Sequence, residues 1–286
     1  MGFMEAKTRE KIRTLIELVR QTAEGRCAVA LAGAHAKGTA DESSDIDIFL
    51  YAERAKPLEE RRKILAAAAD PGTTPYLDPD FEATPWGGSM DFQFGGTPVE
   101  VVGRTLAATD RDLQEGLAGK FEIIPATWTS NGYYTFIHLC ELAFIQPVYD
   151  PDGILADYKA RLDPYPPKLR KAVACTFFGR ACTWLDNFHY LSAIEREDIW
   201  FCGPAVMHTV LDMVQVVFAL DEVWFTGDKK LVKALSALPS CPPVLLQNAA
   251  LLMSAPPDRQ QLARQRALLC AARDELRGRL QAAGLL

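Results

Sequence analysis

Two aspartates, Asp45 and Asp47, stand two residues apart in the run SDIDIFLY, alternating with Ile46 and Ile48. In extended backbone, residues i and i+2 point to the same side. The two carboxylates therefore project together and the two isoleucines project the other way. Adjacent carboxylates repel unless a proton, a basic partner or a cation compensates them. The run itself carries no Lys or Arg. A hard divalent cation is the natural compensator, since Mg²⁺ takes oxygen ligands and is commonly held by one or two carboxylates together with substrate phosphates. Upstream, Gly33 and Gly38 bracket Ala-His-Ala-Lys. Glycines there permit positive φ and close backbone approach, and a short helix opening at this loop would direct backbone N–H groups at a phosphate. His35 and Lys37 are within reach of the same phosphate.

Elements must hold these residues in place. Ile12, Leu15, Ile16 and Val19 share one helical face, so residues 4–23 read as an amphipathic helix stopped near Gly25. CAVALAG (27–33) reads as a buried strand, and SDIDIFLY as a second strand. A helix is expected from Pro57 to Ala69, then a Pro/Gly-rich loop over 71–89 of the length that often carries function. MDFQF, Gly95-Gly96 and TPVEVVG read as a hairpin. With a two-residue turn, Phe94 pairs with Thr97 and Asp91 falls opposite Glu100. From residue 109 the pattern turns helical, with Thr109 as an N-cap and most of 129–145 helical. Helices are expected near 166–194, 204–220, 229–237 and 258–282, with CGP (202–204) among the breaks. The pattern describes a small α/β domain followed by a helical one, with the division drawn as 1–125 and 126–286.

Composition bounds the function. The 286 residues are 49% hydrophobic and 24% charged, as in globular proteins. The formal charge of −6 argues against a broad nucleic-acid-binding face, which needs clustered Lys and Arg. Seven scattered cysteines without a C-x-x-C pair, and four dispersed histidines, read as a reduced protein with no disulfide framework or zinc site. The N-terminal segment is charged and amphipathic, unlike a signal peptide, and apolar stretches such as PPVLLQNAALLM fall short of a membrane span. The expectation is a cytoplasmic protein without membrane partners; the apolar helices are compatible with a homodimer.

The stretch LAGAHAKGTADESSDIDIF resembles the nucleotidyltransferase superfamily, the fold shared by DNA polymerase β and the antibiotic nucleotidyltransferases. That family's signature is an apolar residue, Gly-Ser or Gly-Gly, about ten further residues, then Asp-x-Asp among apolar neighbours. The resemblance implies an α+β fold: a nucleotidyltransferase domain with a small mixed sheet flanked by helices, then an all-α helical bundle. VYDPDGILADYKARL and FALDEVWFTGDKKLVKALSALPSCPP resemble the helical C-terminal region of bacterial relatives. The resemblance also implies a third carboxylate on a neighbouring strand, for which Glu100 is the first candidate and Asp91 the second. Asp45, Asp47 and Glu100 are then the catalytic, metal-holding residues of a two-metal Mg²⁺ site. Gly33, Ala34, His35, Lys37, Gly38 and Ser44 would face ATP or another nucleoside triphosphate. Ala34 departs from the pattern, because relatives carry serine there; Thr39, Ser43 or Ser44 are possible substitutes.

The activity implied is transfer of a nucleoside monophosphate, AMP from ATP in the first reading, to a hydroxyl of a small molecule such as an antibiotic, with release of pyrophosphate. Two metals would stabilise the attacking and leaving oxygens, or Glu100 would act as general base. Glu141, Asp186 and Asp212 are acids on the acceptor side without a motif to select among them. Alternatives are nucleotidylation of a protein or RNA, as in toxin–antitoxin relatives, and a non-catalytic nucleotide sensor, the latter motivated by Ala34.

Overall fold

The structure is a computed structural model that describes residues 6–38, 40–41, 44–125, 129, 131–225 and 227–286. Thr39 and Ser43 lie outside the described residues. The chain forms two compact units, one of residues 1–116, 121–124 and 133–164, the other of 117–120, 125–132 and 165–286.

The first unit contains, in order, α1 (Ala6–Arg20), β1 (Ala23–Leu31), α2 (Gly33–Lys37), β2 (Ile46–Ala55), α3 (Leu58–Ala66), β3 (Tyr76–Leu77), β4 (Gly88–Phe94), β5 (Thr97–Thr105), α4 (Leu106–Leu117), β6 (Ile123–Ile124), β7 (Tyr133–Tyr134), α5 (Ile137–Phe144), β8 (Gln146–Tyr149) and α6 (Ile154–Arg161). Six strands form one mixed sheet in the order β3-β4-β5-β2-β1-β8, with β2 and β5 parallel and the other neighbours antiparallel. The sixth strand, β8, reaches this sheet from beyond residue 125. Alternation divides the faces as the sequence requires. Ile46, Ile48, Leu50, Val99 and Val101 point to one side and are buried with Ile12, Leu15 and Val19 of α1 and Leu65 of α3. Burying each such side chain stabilises the fold by about 1.5–3 kcal/mol. The hairpin has the expected register, with Phe94 opposite Thr97 and Asp91 opposite Glu100.

Several local expectations shift. Helix α1 ends at Arg20, and Gly25 (φ +77°) lies inside β1 beside a bulge that it helps to form, so it is not a helix stop. Thr109 lies inside α4, where its hydroxyl donates to the Thr105 carbonyl; Thr105 Oγ1 accepts the Ala108 N–H at 3.1 Å at the helix start. Residues 133–134 pair as β7 with β6, so α5 is shorter than the helix expected over 129–145. The 71–89 segment contains β3 and is bound to the body: the fully buried Arg61 donates to the carbonyls of Lys56 (2.9 Å), Asp78 (3.0 Å) and Pro79.

The second unit is helical: α7 (Pro167–Leu185), α8 (Phe188–Glu195), α9 (Ile199–Leu220), α10 (Leu231–Leu235), α11 (Pro243–Gln247), α12 (Ala249–Leu252) and α13 (Arg259–Ala282). Its core lies where α7, α9 and α13 pack, with Val173, Phe177, Val216, Leu269 and Leu276 buried. Helix α9 starts before CGP and runs through it. The carbonyl that Pro204 leaves without a helical donor is that of Trp200, an exposed residue, so the helix continues. At 22 residues α9 is long and apolar enough to cross a membrane, contrary to the sequence expectation. However, 67% of its apolar stretch is buried in the protein, as in a core helix.

Candidate active site

The face of the sheet opposite the α1/α3 core carries the acids. Asp47 of β2 lies in register with Glu100 of β5, and Glu100 lies in register with Asp91 of β4. Asp45 immediately precedes β2. Ligand oxygens of Asp45, Asp47 and Glu100 all lie within 4.8 Å of one another. Two ligands on opposite sides of a hard cation stand about 4.2–4.8 Å apart for metal–oxygen distances of about 2.1–2.4 Å. The three carboxylates thus have the spacing to share one cation. Asp45 and Asp47 are half-buried and Glu100 is exposed. Asp91 is not part of this three-oxygen cluster. Its carboxyl pKa is pushed up to about 6 by burial first, then by the charges of Glu100 and Asp78, against one hydrogen bond from the Val101 backbone.

The glycine loop folds as expected into a short helix, α2. Gly33 begins it with φ +53°, and a β-carbon there would lie 1.6 Å from Asp47 Oδ2. Glycine is therefore needed for both backbone conformation and volume. Gly38 ends α2 in the left-handed region (φ +66°), where a β-carbon would meet nothing within 4 Å. Ala32, preceding Gly33, donates its N–H to the Asp47 carbonyl at 2.9 Å, tying the loop to β2.

The remaining expected residues are placed as follows. Ala34 is half-buried in α2 and has no hydroxyl to offer. His35 is half-buried near Asp45; burial lowers its pKa, against the opposing pull of the Asp45 charge. Lys37 is exposed, with its ammonium 5.1 Å from the Phe144 ring centroid. Ser44 Oγ accepts the Asp41 N–H at 2.9 Å and donates to Asp41 Oδ1 at 3.2 Å, so its hydroxyl is engaged by Asp41.

Three acids outside the motif have separate environments. Glu141 belongs to the first unit and pairs with the buried Arg104 at 2.6 Å. The Arg104 guanidinium lies 4.9 Å from the Phe49 ring centroid, and Phe49 is the next residue after Asp47 on the same face of β2. Burial works to lower the Arg104 pKa, and Glu141, together with Tyr51 and Tyr133, outweighs it to raise the net value. Asp186 is exposed and pairs with Arg273. Asp212 is fully buried in the second unit, accepting from Asn131 (2.9 Å) and Arg180 (3.0 Å). Sequence reasoning did not find the Arg104–Glu141 pair. An arginine that follows the uncharged run Val101-Val102-Gly103 was the available signal.

Residues 12–71 match the family model described as nucleotidyltransferase domain. That stretch holds the C-terminal part of α1 from Ile12, the glycine loop, Asp45 and Asp47, and ends before Glu100. No curated protein matches the chain. Among solved structures, a nucleotidyltransferase-like protein from Exiguobacterium sibiricum 255-15 is similar with a TM-score of 0.47 and 10% sequence identity, over 93% of this chain and 74% of that one. Residues 12–71 thus identify a nucleotidyltransferase domain within the first unit.

Proposed function

We propose that the protein transfers a nucleoside monophosphate, AMP from ATP in the first instance, to a hydroxyl of a small molecule and releases pyrophosphate. The observation that carries this reading is the convergence of Asp45, Asp47 and Glu100 oxygens within 4.8 Å beside a glycine loop that belongs to the matched domain.

In this reading Asp45 and Asp47 hold Mg²⁺, and Glu100 completes the ligand set or takes the proton of the acceptor hydroxyl as general base. Bound Mg²⁺ supplies charge stabilisation for the transferring phosphoryl group. The chain's own part is positioning. Gly33 leaves the space that Asp47 occupies, and the Ala32–Asp47 backbone bond keeps the α2 loop against β2. Backbone N–H groups of the loop, with His35 and Lys37 beside them, would receive the phosphates. The small-molecule acceptor remains a choice on charge: the acidic chain does not favour a nucleic acid.

The test is incubation with α-labelled nucleoside triphosphates, Mg²⁺ and a library of hydroxyl-bearing acceptors, reading label transfer and pyrophosphate release together. Both are expected in the wild type and lost by at least about 100-fold in Asp45→Asn and Asp47→Asn. Undiminished turnover in either variant would sink the reading.

A second reading, a nucleotide sensor without turnover, is favoured by one observation: Ala34 has no hydroxyl, and that of Ser44 is engaged by Asp41. Calorimetry that shows ATP binding in a preparation without turnover, equally tight in Asp45→Asn, would select it.

A further inference from the structure

One row of side chains crosses four strands of the sheet. Asp47 of β2 lies in register with Glu100 of β5, Glu100 with Asp91 of β4, and Asp91 with Tyr76 of β3. Residues directly opposite one another share a face of the sheet, so Tyr76 stands on the face that carries the triad. With neighbouring strands about 4.8 Å apart, its backbone is about 10 Å from that of Glu100.

Tyr76 is 58% exposed, and among the described residues of the first unit it is the only exposed large hydrophobic side chain. It is also held in place. Its hydroxyl donates to Asp78 Oδ1 at 2.8 Å. Asp78 is buried, accepts the Ser89 N–H through Oδ2 at 2.8 Å, and accepts from the buried Arg61 through its backbone carbonyl at 3.0 Å. An aromatic ring anchored by its polar end has little further freedom to lose when a ligand packs on it.

The geometry of in-line displacement decides which ligand meets this ring. Attacking and leaving oxygens lie on opposite sides of the transferred phosphorus. The glycine loop follows β1, which flanks β2 on the side away from β5. Lys37 of that loop lies near Phe144, just before β8, on the same side. With the leaving phosphates received by the loop, the attacking hydroxyl arrives from the β5 side, over Glu100 and Asp91, and Tyr76 stands at the end of that approach.

We propose, on the transfer reading above, that Tyr76 is a specificity-determining residue whose ring packs against a ring of the acceptor while the acceptor's hydroxyl reaches Glu100. Cyclic acceptors are thereby favoured over open-chain ones.

The test is steady-state transfer from α-labelled ATP with Mg²⁺ to myo-inositol, phenyl β-glucoside and sorbitol, the last an open-chain compound with as many hydroxyls as the first. The wild type should use at least one of the two cyclic acceptors in preference to sorbitol. Tyr76→Ala should raise KM for that acceptor at least about tenfold, the scale of one aromatic stacking contact, and leave KM for ATP within about twofold. Tyr76→Phe keeps the ring and should stay within about threefold of the wild type. Because the side chain is exposed, both variants should melt as the wild type does. The proposal alone is overturned if the wild type transfers while Tyr76→Ala keeps its acceptor KM, or if KM for ATP rises instead, which would put the ring against the nucleotide base. It is equally overturned if Tyr76→Phe loses as much as Tyr76→Ala, if sorbitol is used as well as the cyclic compounds, or if neither cyclic compound is used. In that last case, transfer to other hydroxyl compounds would leave the transfer reading standing, and no transfer at all would end both.

Discussion

Gly33 and Asp47 occupy adjoining space so closely that a β-carbon on the first would lie 1.6 Å from Oδ2 of the second. The glycine loop and strand β2 are thus one object, and the loop cannot change its residue without moving a carboxylate.

Gly33→Ala should therefore do two things. It adds a strained positive φ, costing about 1–2 kcal/mol, and it displaces Asp47. Gly38→Ala adds the same kind of backbone strain at φ +66° with open space around it. Both variants should melt a few degrees lower. Only Gly33→Ala should also lose turnover by about 100-fold or more. Equal activities in the two variants would show that Asp47 does not need the space.

Divalent metal should stabilise the wild type. Differential scanning fluorimetry with Mg²⁺ or Mn²⁺ at 100 times its dissociation constant should register about 2.7 kcal/mol. Asp47→Asn should melt at or above the wild type without metal, because like-charge repulsion with Asp45 and Glu100 is relieved, and should gain little on adding metal. A full metal response in that variant would place the cation elsewhere.

Asp91 gives a pH signature to the metal-free protein. Its folded pKa, about 6, exceeds the ordinary 3.8. Between those values the folded state holds the proton and the unfolded state has lost it, so this group's contribution to stability falls as pH rises from about 4 to about 6 and stays lost above. After discounting for its partial exposure, Asp91→Asn should stabilise by about 1–2 kcal/mol at pH 7.5 and by nothing near pH 4. Chemical denaturation at both pH values in a chelator checks this; a gain independent of pH would point to packing instead of charge.

Glu141→Gln should leave the buried Arg104 without its counter-charge. Removing one partner of a buried pair typically costs 3–5 kcal/mol; with the Glu141 side chain 31% exposed, about 2 kcal/mol is expected. Urea unfolding reads the change. A cost below about 0.5 kcal/mol would mean that water already carries most of the Arg104 charge.

Much of the first unit is legible in sequence because its signals are local. Alternation assigns Ile46 and Ile48 to the core, and Gly95-Gly96 sets a two-residue turn that places Asp91 opposite Glu100. Where a residue has both a local and a tertiary use, the local reading fails. Gly25 looks like a helix stop but serves a bulge in β1, and Thr109 looks like a cap but lies within α4. Pro204 looks like a break, yet α9 continues because the single carbonyl it orphans is at an exposed residue. Arg61, whose partners are the carbonyls of residues 56, 78 and 79, has no sequence signature at all.

The sequence alone determined the two aspartates, the glycines before them and the sides of the strand to which each points, because a two-residue period and a positive φ are properties of the chain itself. The tertiary structure decided which distant acid joins them. The parallel pairing of β2 with β5 sets Asp47 beside Glu100, more than fifty residues away. It also decided that Asp47 lies against Gly33 and that Glu141 pairs with Arg104. The physical reason is that such contacts depend on strand order and register across the sheet, and pairings between distant segments leave no periodicity in the chain.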